Sequence, residues 1–194
     1  KLLAGLFVCT LLTGCVSATA SEAEKGVTPL NTEDLFSNRD SDWAYETEEY
    51  TEIILQNESV MVDKEGVYVL KGSLENGQII VDAAKDEKVQ LVLDGVSVVS
   101  KDSAALYIKQ ADKVFVTLSP GSENLLENGG NFMQTDENNV DAALFSKEDL
   151  TLNGEGKLKI ISPAGHGIVS KDELTVTGGS LEIEASGHGL SGQD

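Results

Sequence analysis

The chain has 194 residues, 40% of them hydrophobic, which is enough for about one domain with a core plus a leader and linker. Its formal net charge of −19 excludes nucleic acid as a natural ligand, because phosphate backbones would be repelled; it suits divalent cations or simple solubility outside a cell. Helix formers make no long periodic runs. Short β-branched stretches divided by Gly, Asn and Asp, with 19 glycines against 3 prolines, predict an all-β protein with many turns.

Lys1 precedes an apolar run over residues 2–12 that closes on Leu12-Thr13-Gly14-Cys15. The run is shorter than the ~20 residues a bilayer span needs, but it has the length of a signal-peptide core. Its ending resembles the bacterial lipobox. Residues 1–15 therefore read as a lipoprotein signal peptide, with cleavage before Cys15 and a lipid on its thiol. That places the protein outside the cell, held to the outer face of the bacterial membrane by the lipid anchor only. Cys9 would leave with the signal, so no disulfide would stabilise the mature chain. Residues 16–31 have no apolar period and read as a flexible tether, extended to residue 42 through a polar stretch broken only by Leu35 and Phe36. Because the sequence begins with Lys and stops inside a repeat, a fragment lacking its initiator and further C-terminal coils is expected.

The domain is placed at residues 43–194. Strands are expected at 51–55, 66–70, 78–81, 88–93 and 113–118. The decisive signal is repetition. Glu87-Lys88-Val89-Gln90-Leu91-Val92-Leu93 recurs 25 residues later as Asp112-Lys113-Val114-Phe115-Val116-Thr117-Leu118. Ser146-Lys147-Glu148-Asp149-Leu150-Thr151-Leu152 recurs 24 residues later as Ser170-Lys171-Asp172-Glu173-Leu174-Thr175-Val176. Gly165-His166-Gly167-Ile168 recurs 22 residues later as Gly187-His188-Gly189-Leu190. A period in the low twenties without helix fits one coil of a parallel β-helix, a solenoid in which each coil pairs only with its neighbours. A leucine-rich repeat would need a Leu ladder that is absent, and a β-sandwich would show no repeat phase. Ala104-Ala105-Leu106-Tyr107 resembles Ala142-Ala143-Leu144-Phe145 38 residues on, so residues 119–140 are expected to leave the stack as a loop, a common binding element.

The succession Gly77-Gln78-Ile79-Ile80-Val81-Asp82, Val89-Gln90-Leu91-Val92-Leu93-Asp94-Gly95-Val96, Ala143-Leu144-Phe145-Ser146-Lys147-Glu148-Asp149-Leu150 and Ser170-Lys171-Asp172-Glu173-Leu174 resembles the clostridial-type carbohydrate-binding β-helix family. The resemblance runs from about Val60 to Asp194. It implies a right-handed parallel β-helix, similar in shape to the calcium-dependent pectate lyases, with calcium (Ca2+) sites and a cellulose-like or acidic polysaccharide as partner. The chain departs from the family at His188, where Asp is frequent, and at Gly192-Gln193-Asp194, where a Gly-Lys-Asp ending is frequent.

Stacking the repeats at about 4.8 Å gives columns of like residues. Glu148, Asp172 and Asp194 form one column, Asp149 and Glu173 another, and Asp141 lies in the turn before the Ala-Ala-Leu-Phe strand. These six carboxylates are the candidate calcium ligands, since a hard cation takes six to eight oxygens. A parallel column of Lys109, Lys147 and Lys171 would instead offset the acids electrostatically. Lys147, Lys171, His166 and His188 are candidate sugar contacts. The histidines, bracketed by glycines, read first as surface turn residues, and as a soft-metal pair they lack further ligands. Trp43, Tyr45 and Tyr50 precede the repeats, while Tyr107, Phe115 and Phe145 are expected to fill the coil interior or stack along it. With only 5% aromatics, a flat stacking platform is disfavoured and calcium-bridged recognition of an anionic polymer is favoured. No Ser-His-Asp set, Cys nucleophile or phosphate loop is present. The single arginine, Arg39, lies in the tether, and nothing in the sequence marks the candidate bases Lys147 and Lys171 as activated. The expected protein is a non-catalytic, calcium-binding surface lipoprotein; the alternatives are a calcium-dependent pectate-lyase-like enzyme and a structural adhesin.

Overall fold

Two parallel strands cannot be joined by a tight turn, so a chain with little helix must cross over through further strands. The computed structural model describes residues 36–46, 49–56 and 58–193, and it takes this course throughout. Fifteen strands follow one short helix: α1 Asn38–Ser41, then β1 Tyr50–Leu55, β2 Val60–Val62, β3 Gly66–Leu74, β4 Ile79–Asp82, β5 Lys88–Ser100, β6 Leu106–Gln110, β7 Lys113–Leu118, β8 Glu123–Asn128, β9 Ala142–Ser146, β10 Asp149–Gly154, β11 Lys157–Ser162, β12 His166–Ser170, β13 Leu174–Val176, β14 Ser180–Ala185 and β15 Leu190–Ser191. Every strand pair is parallel.

The pairings define three faces of a curled stack. On the first face β1, β3, β5, β7, β10 and β13 lie side by side. The long β3 and β5 then bend, and their second halves continue with β8, β11 and β14 as the second face. The third face runs β2-β4-β6-β9-β12-β15. The repeats read from sequence are the register itself: Lys88 faces Lys113, Leu150 faces Leu174, Leu106 faces Leu144 and Ile168 faces Leu190.

That register stacks the inward side chains into continuous apolar columns. Leu91, Val116 and Leu152 lie above one another and are fully buried. Val98, Leu126 and Ile160 form the column of the second face, and Leu106, Leu144 and Ile168 that of the third. Each fully buried Leu, Ile or Val contributes about 1.5–3 kcal/mol relative to exposure, so the columns, with no cross-link among the described residues, hold the stack.

Three expectations change. Of the two places expected for the aromatics, the interior is not taken by Tyr107, Phe115 or Phe145, while Tyr107 and Phe145 do stack along the coils, with ring centroids 5.8 Å apart. All three alternate with inward residues and lie on the outer sides of the third and first faces, yet are 3% exposed or less because other segments cover them. The loop is shorter than residues 119–140. Glu123–Asn128 is a strand of the second face, and its composition reads as loop because two asparagines point inward. The Asn124 side-chain carbonyl accepts from the N–H groups of Gly95 and Val96, and Asn128 donates to the carbonyls of Ser103 and Asn131. Only residues 129–141 leave the stack, and they fold back over the third face.

The tether, finally, does not extend to residue 42. α1 lies on the outer side of the first face, where Asp40 is 3% exposed. Its carboxylate accepts from the Thr151 hydroxyl at 2.7 Å and meets the Lys113 ammonium at 2.8 Å. Its carbonyl accepts from Asn153 and Thr177, so α1 is bound across two coils. Cys15 and the signal and tether readings over residues 1–35 lie outside the described residues. Among the described residues no helix is long and apolar enough to cross a membrane.

Candidate functional site

The third face carries the residues singled out for chemistry, but at two ends. Its strands run about 3.3 Å per residue, so the five-residue β9 and β12 separate the ends by roughly 16 Å. At the leading edge stand Asp141, His166 and His188. At the trailing turn stand Lys147, Glu148, Asp149, Lys171, Asp172 and Glu173; Asp194 lies outside the described residues.

The trailing turn is built the same way in successive coils. The Ser146 hydroxyl accepts from the Glu148 N–H at 3.1 Å, and the Ser170 hydroxyl accepts from the Asp172 N–H at 3.2 Å. Both hydroxyls donate to the Glu148 carbonyl, at 2.7 and 3.0 Å, which locks the two turns together. Such short side-chain-to-backbone bonds give the serine that opens both turns its role. The acids are then held in register. Burial raises the pKa of Glu148, with Asp172 and Asp149 adding to the effect while Lys147 and Lys85 counter it. Burial likewise raises that of Asp149, assisted by Asp172 and Glu173 and opposed by a hydrogen bond from the Glu173 N–H and by Lys113. Neither Glu148 nor Asp149 has an ion-pair partner within 4.0 Å among the described residues. Glu173 accepts from the Thr175 hydroxyl at 2.5 Å. No three His, Cys, Asp or Glu side chains among the described residues converge as a ready-made metal cage.

The leading edge is different in sign. The rings of His166 and His188 stack with centroids 5.1 Å apart and planes within 5°. The His188 N–H donates to His166 Nδ1 at 2.8 Å, so the lone pair there is engaged and the ring's remaining proton sits on Nε2. That atom lies 3.9 Å from Asp141 Oδ2, and Lys171 Nζ lies 3.9 Å from the same oxygen. Asp141 Oδ1 is buried without a hydrogen-bond partner. With a cation and an imidazole beside it, Asp141 is grouped with positive charge rather than with the other acids. Gly165, with φ +77°, permits the close approach: a Cβ there would strike the Asp141 carbonyl and the Phe132 ring.

Between the two ends the loop of residues 129–141 covers the outer face. Phe132 packs on a cluster of Ala104, Tyr107, Val140, Ala142, Phe145 and Val169. Tyr107 donates to Asp136 at 2.6 Å and accepts from Asn138 at 2.5 Å. Burial, with the Asp136 carboxylate next, pushes the Tyr107 phenol well above its usual range. Lys171 bridges the ends, its ammonium 5.3 Å from the Phe145 ring centroid. Lys109 leaves the lysine column by pairing with Asp82 at 2.8 Å. This loop pinning and the role of Asp136 were not read from sequence, since one Asp in a Gly- and Asn-rich stretch carries no signal of its own. Arg39 sits far from both ends, on the first face, bonded to Gln90 at 2.8 Å and lying over Phe115.

The described residues thus define an all-β protein of stacked parallel coils with long, polar, repeating faces. The chain belongs to the carbohydrate-binding domain-containing protein family, whose model matches residues 56–194. A carbohydrate-binding domain-containing protein of Acetivibrio thermocellus is 35% identical over 128 residues, which is 65% of this chain and 45% of that protein. The gadolinium derivative of a polysaccharide lyase-like protein from C. thermocellum is similar in structure, with a TM-score of 0.66 and 30% identity, over 70% of this chain and 61% of that one. The chain thus spans less than half the length of the first relative and about three fifths of the second.

Proposed function

We propose that this chain is a non-catalytic polysaccharide-binding module, exported and held at the cell surface by a lipid on Cys15. In this reading it is wound as a right-handed parallel β-helix, and calcium assists its binding of an acidic or cellulose-like polymer. The observation that carries the calcium reading is the trailing turn: Glu148 and Asp149 bind protons more readily than usual and have no ion-pair partner among the described residues. A divalent ion would offset the cost of burying these charges and, with it, their mutual repulsion. Glu148, Asp149, Asp172 and Glu173 would hold it once their side chains turn together, since no three of them converge as they stand, and a site with few protein ligands leaves coordination positions for water and for sugar oxygens. The fit is one of charge and stacking, and Asp141 stands apart from it. Gadolinium, the ion in the solved relative, is like calcium a hard, oxygen-seeking ion.

Right-handed winding accords with the strong preference of parallel crossovers for that hand. The binder reading is preferred to a lyase for a chemical reason. A base is needed to take the proton next to a uronate carboxylate; Arg39, the only arginine, is engaged on Gln90 and Phe115 on another face, and Lys171 lies over Phe145 beside Asp141. The lyase-like relative keeps the enzyme reading as the second one. The test is incubation of the protein with polygalacturonate, with calcium or with chelator. Calcium-dependent retention without absorbance from unsaturated products is expected. New absorbance would overturn the non-catalytic assignment, and retention indifferent to chelator would overturn the calcium assignment.

A further inference from the structure

The same leading edge of the third face holds a second feature, three coils before the histidines. The turns entering β2, β4 and β6 stack at the corner between the second and third faces, and the loop of residues 129–141 walls them on one side. Together they bound an open cleft of about 310 Å³. That is near the lower end of the range for small-molecule sites, ~300–1,000 Å³, and suits one sugar ring.

Its polar side chains are aimed by backbone bonds. The Ser59 hydroxyl accepts from the Gln78 N–H at 3.0 Å, which leaves its own proton to donate. The Asn76 side-chain carbonyl accepts from the Lys101 N–H at 3.2 Å, which fixes the amide orientation and leaves its NH2 group free to donate outward. The Gln78 NH2 group donates to the Ala104 carbonyl at 2.7 Å, which leaves the side-chain oxygen as an acceptor. The Asp102 carboxylate has no ion-pair partner within 4.0 Å among the described residues, while its carbonyl holds the Met133 N–H at 2.7 Å. Met133 is 62% exposed, an apolar surface on an otherwise polar rim. Two donors, two acceptors and one thioether side chain, arranged around a concave space, match a sugar's paired hydroxyls and its C–H face.

The sign of the charge selects the ligand. No Lys, Arg or His lines the cleft, and its one ionised group is Asp102. A uronate would meet that carboxylate unpaired, whereas a neutral sugar hydroxyl donates to it. We propose that the cleft formed by Ser59, Asn76, Gln78, Asp102 and Met133 is a subsite for a neutral, hydroxyl-rich sugar unit, separate from the acidic turn at the other edge. It rests on the polysaccharide-binding reading above and names where, and which kind of sugar, the chain contacts.

The experiment measures retention of the whole protein on a neutral β-glucan and on polygalacturonate, both with chelator present. The variants are Asn76→Ala with Asp102→Ala, Met133→Ala, and Asp102→Lys. All change exposed side chains, and thermal melting of each verifies the fold. Loss of two hydrogen-bonding groups is expected to weaken glucan binding about tenfold or more, and Met133→Ala about threefold, with melting unchanged. Asp102→Lys is expected to lose glucan and gain polygalacturonate. Glucan binding that the variants leave intact would overturn the subsite, as would wild-type retention on polygalacturonate alone, while the general reading would stand. Retention of the wild type on neither polymer, with or without calcium, would sink both.

Discussion

Removing the carboxylate of Asp40 isolates what the N-terminal segment contributes. In Asp40→Ala the Lys113 ammonium, whose side chain is only 14% exposed, loses its partner, and the Thr151 and Ser37 hydroxyls lose an acceptor. Breaking a buried ion pair from one side costs about 3–5 kcal/mol, because the surviving charge stays desolvated. Here the segment of residues 37–45 can lift away and let water reach Lys113, which caps the loss at the free energy that binds the segment. The expected destabilisation is therefore about 2–4 kcal/mol, read as a lower urea midpoint and as faster amide hydrogen exchange over residues 38–45. Asp40→Asn keeps one acceptor oxygen and should cost about half as much. Unchanged exchange over 38–45 together with an unchanged urea midpoint would refute the reasoning.

The same contact fixes the direction of its pH dependence. Burial alone would raise the Asp40 pKa, but hydrogen bonds from Lys113, Ser37 and Thr151 outweigh it and hold the carboxyl well below the usual carboxylate range. A depressed folded-state pKa means the stabilisation is fully present above the unfolded value of about 3.9 and is lost as pH falls below it. Acid should therefore release residues 37–45 before it melts the coils, whose interior columns carry no charge.

Tyr107→Phe deletes the bonds to Asp136 and Asn138 and should cost about 1–2 kcal/mol, seen as faster amide exchange in residues 133–140. Since the Tyr107 pKa is raised, its contribution is present below the unfolded tyrosine pKa of about 10 and is lost as pH rises beyond it; an absorbance titration should show one tyrosine ionising late. Gly154→Ala places a methyl against the Leu118 backbone at φ +95°, and a loss of about 2 kcal/mol or more in thermal melting is expected. Glu148→Gln in chelator should stabilise the fold by about 0.5 kcal/mol at pH 7, because a raised carboxyl pKa makes ionisation oppose folding above the unfolded value of about 4.3; calcium should reverse the ranking against wild type in a melting assay.

The register was legible because a parallel stack repeats its inward side chains at fixed intervals. Lys88 and Lys113, or Leu150 and Leu174, pair where the repeats align. Which side of each strand faces inward was not. Ala142–Ser146 is buried at every position, since the core covers one side and the loop the other, and a period of two vanishes when both sides are dry. Tyr107 and Phe145 consequently read as either interior or stacked along the coils. The clasp of α1 was hidden for a different reason. It depends on Asp40 meeting Lys113, Thr151 and Thr177, which are polar contacts across more than 70 positions that leave no hydrophobic pattern in residues 37–42.

The candidate site shows the same division. Glu148 with Asp172, Lys147 with Lys171, and His166 with His188 were each found because they repeat, and the register places each pair in a column. Repetition alone gives no position along the strand, so Asp141 joined the acids in the sequence reading, although it sits at the opposite edge, beside His166 and Lys171. The cleft at the corner between the second and third faces has no repeat at all. Ser59, Asn76 and Asp102 are different residues at equivalent turns, and Met133 enters from the loop. In a stack of coils, features that repeat build and charge the scaffold, whereas a site that distinguishes one sugar from another must break the repeat. The places where the coils differ at a shared corner are therefore where ligand specificity should be sought in this chain.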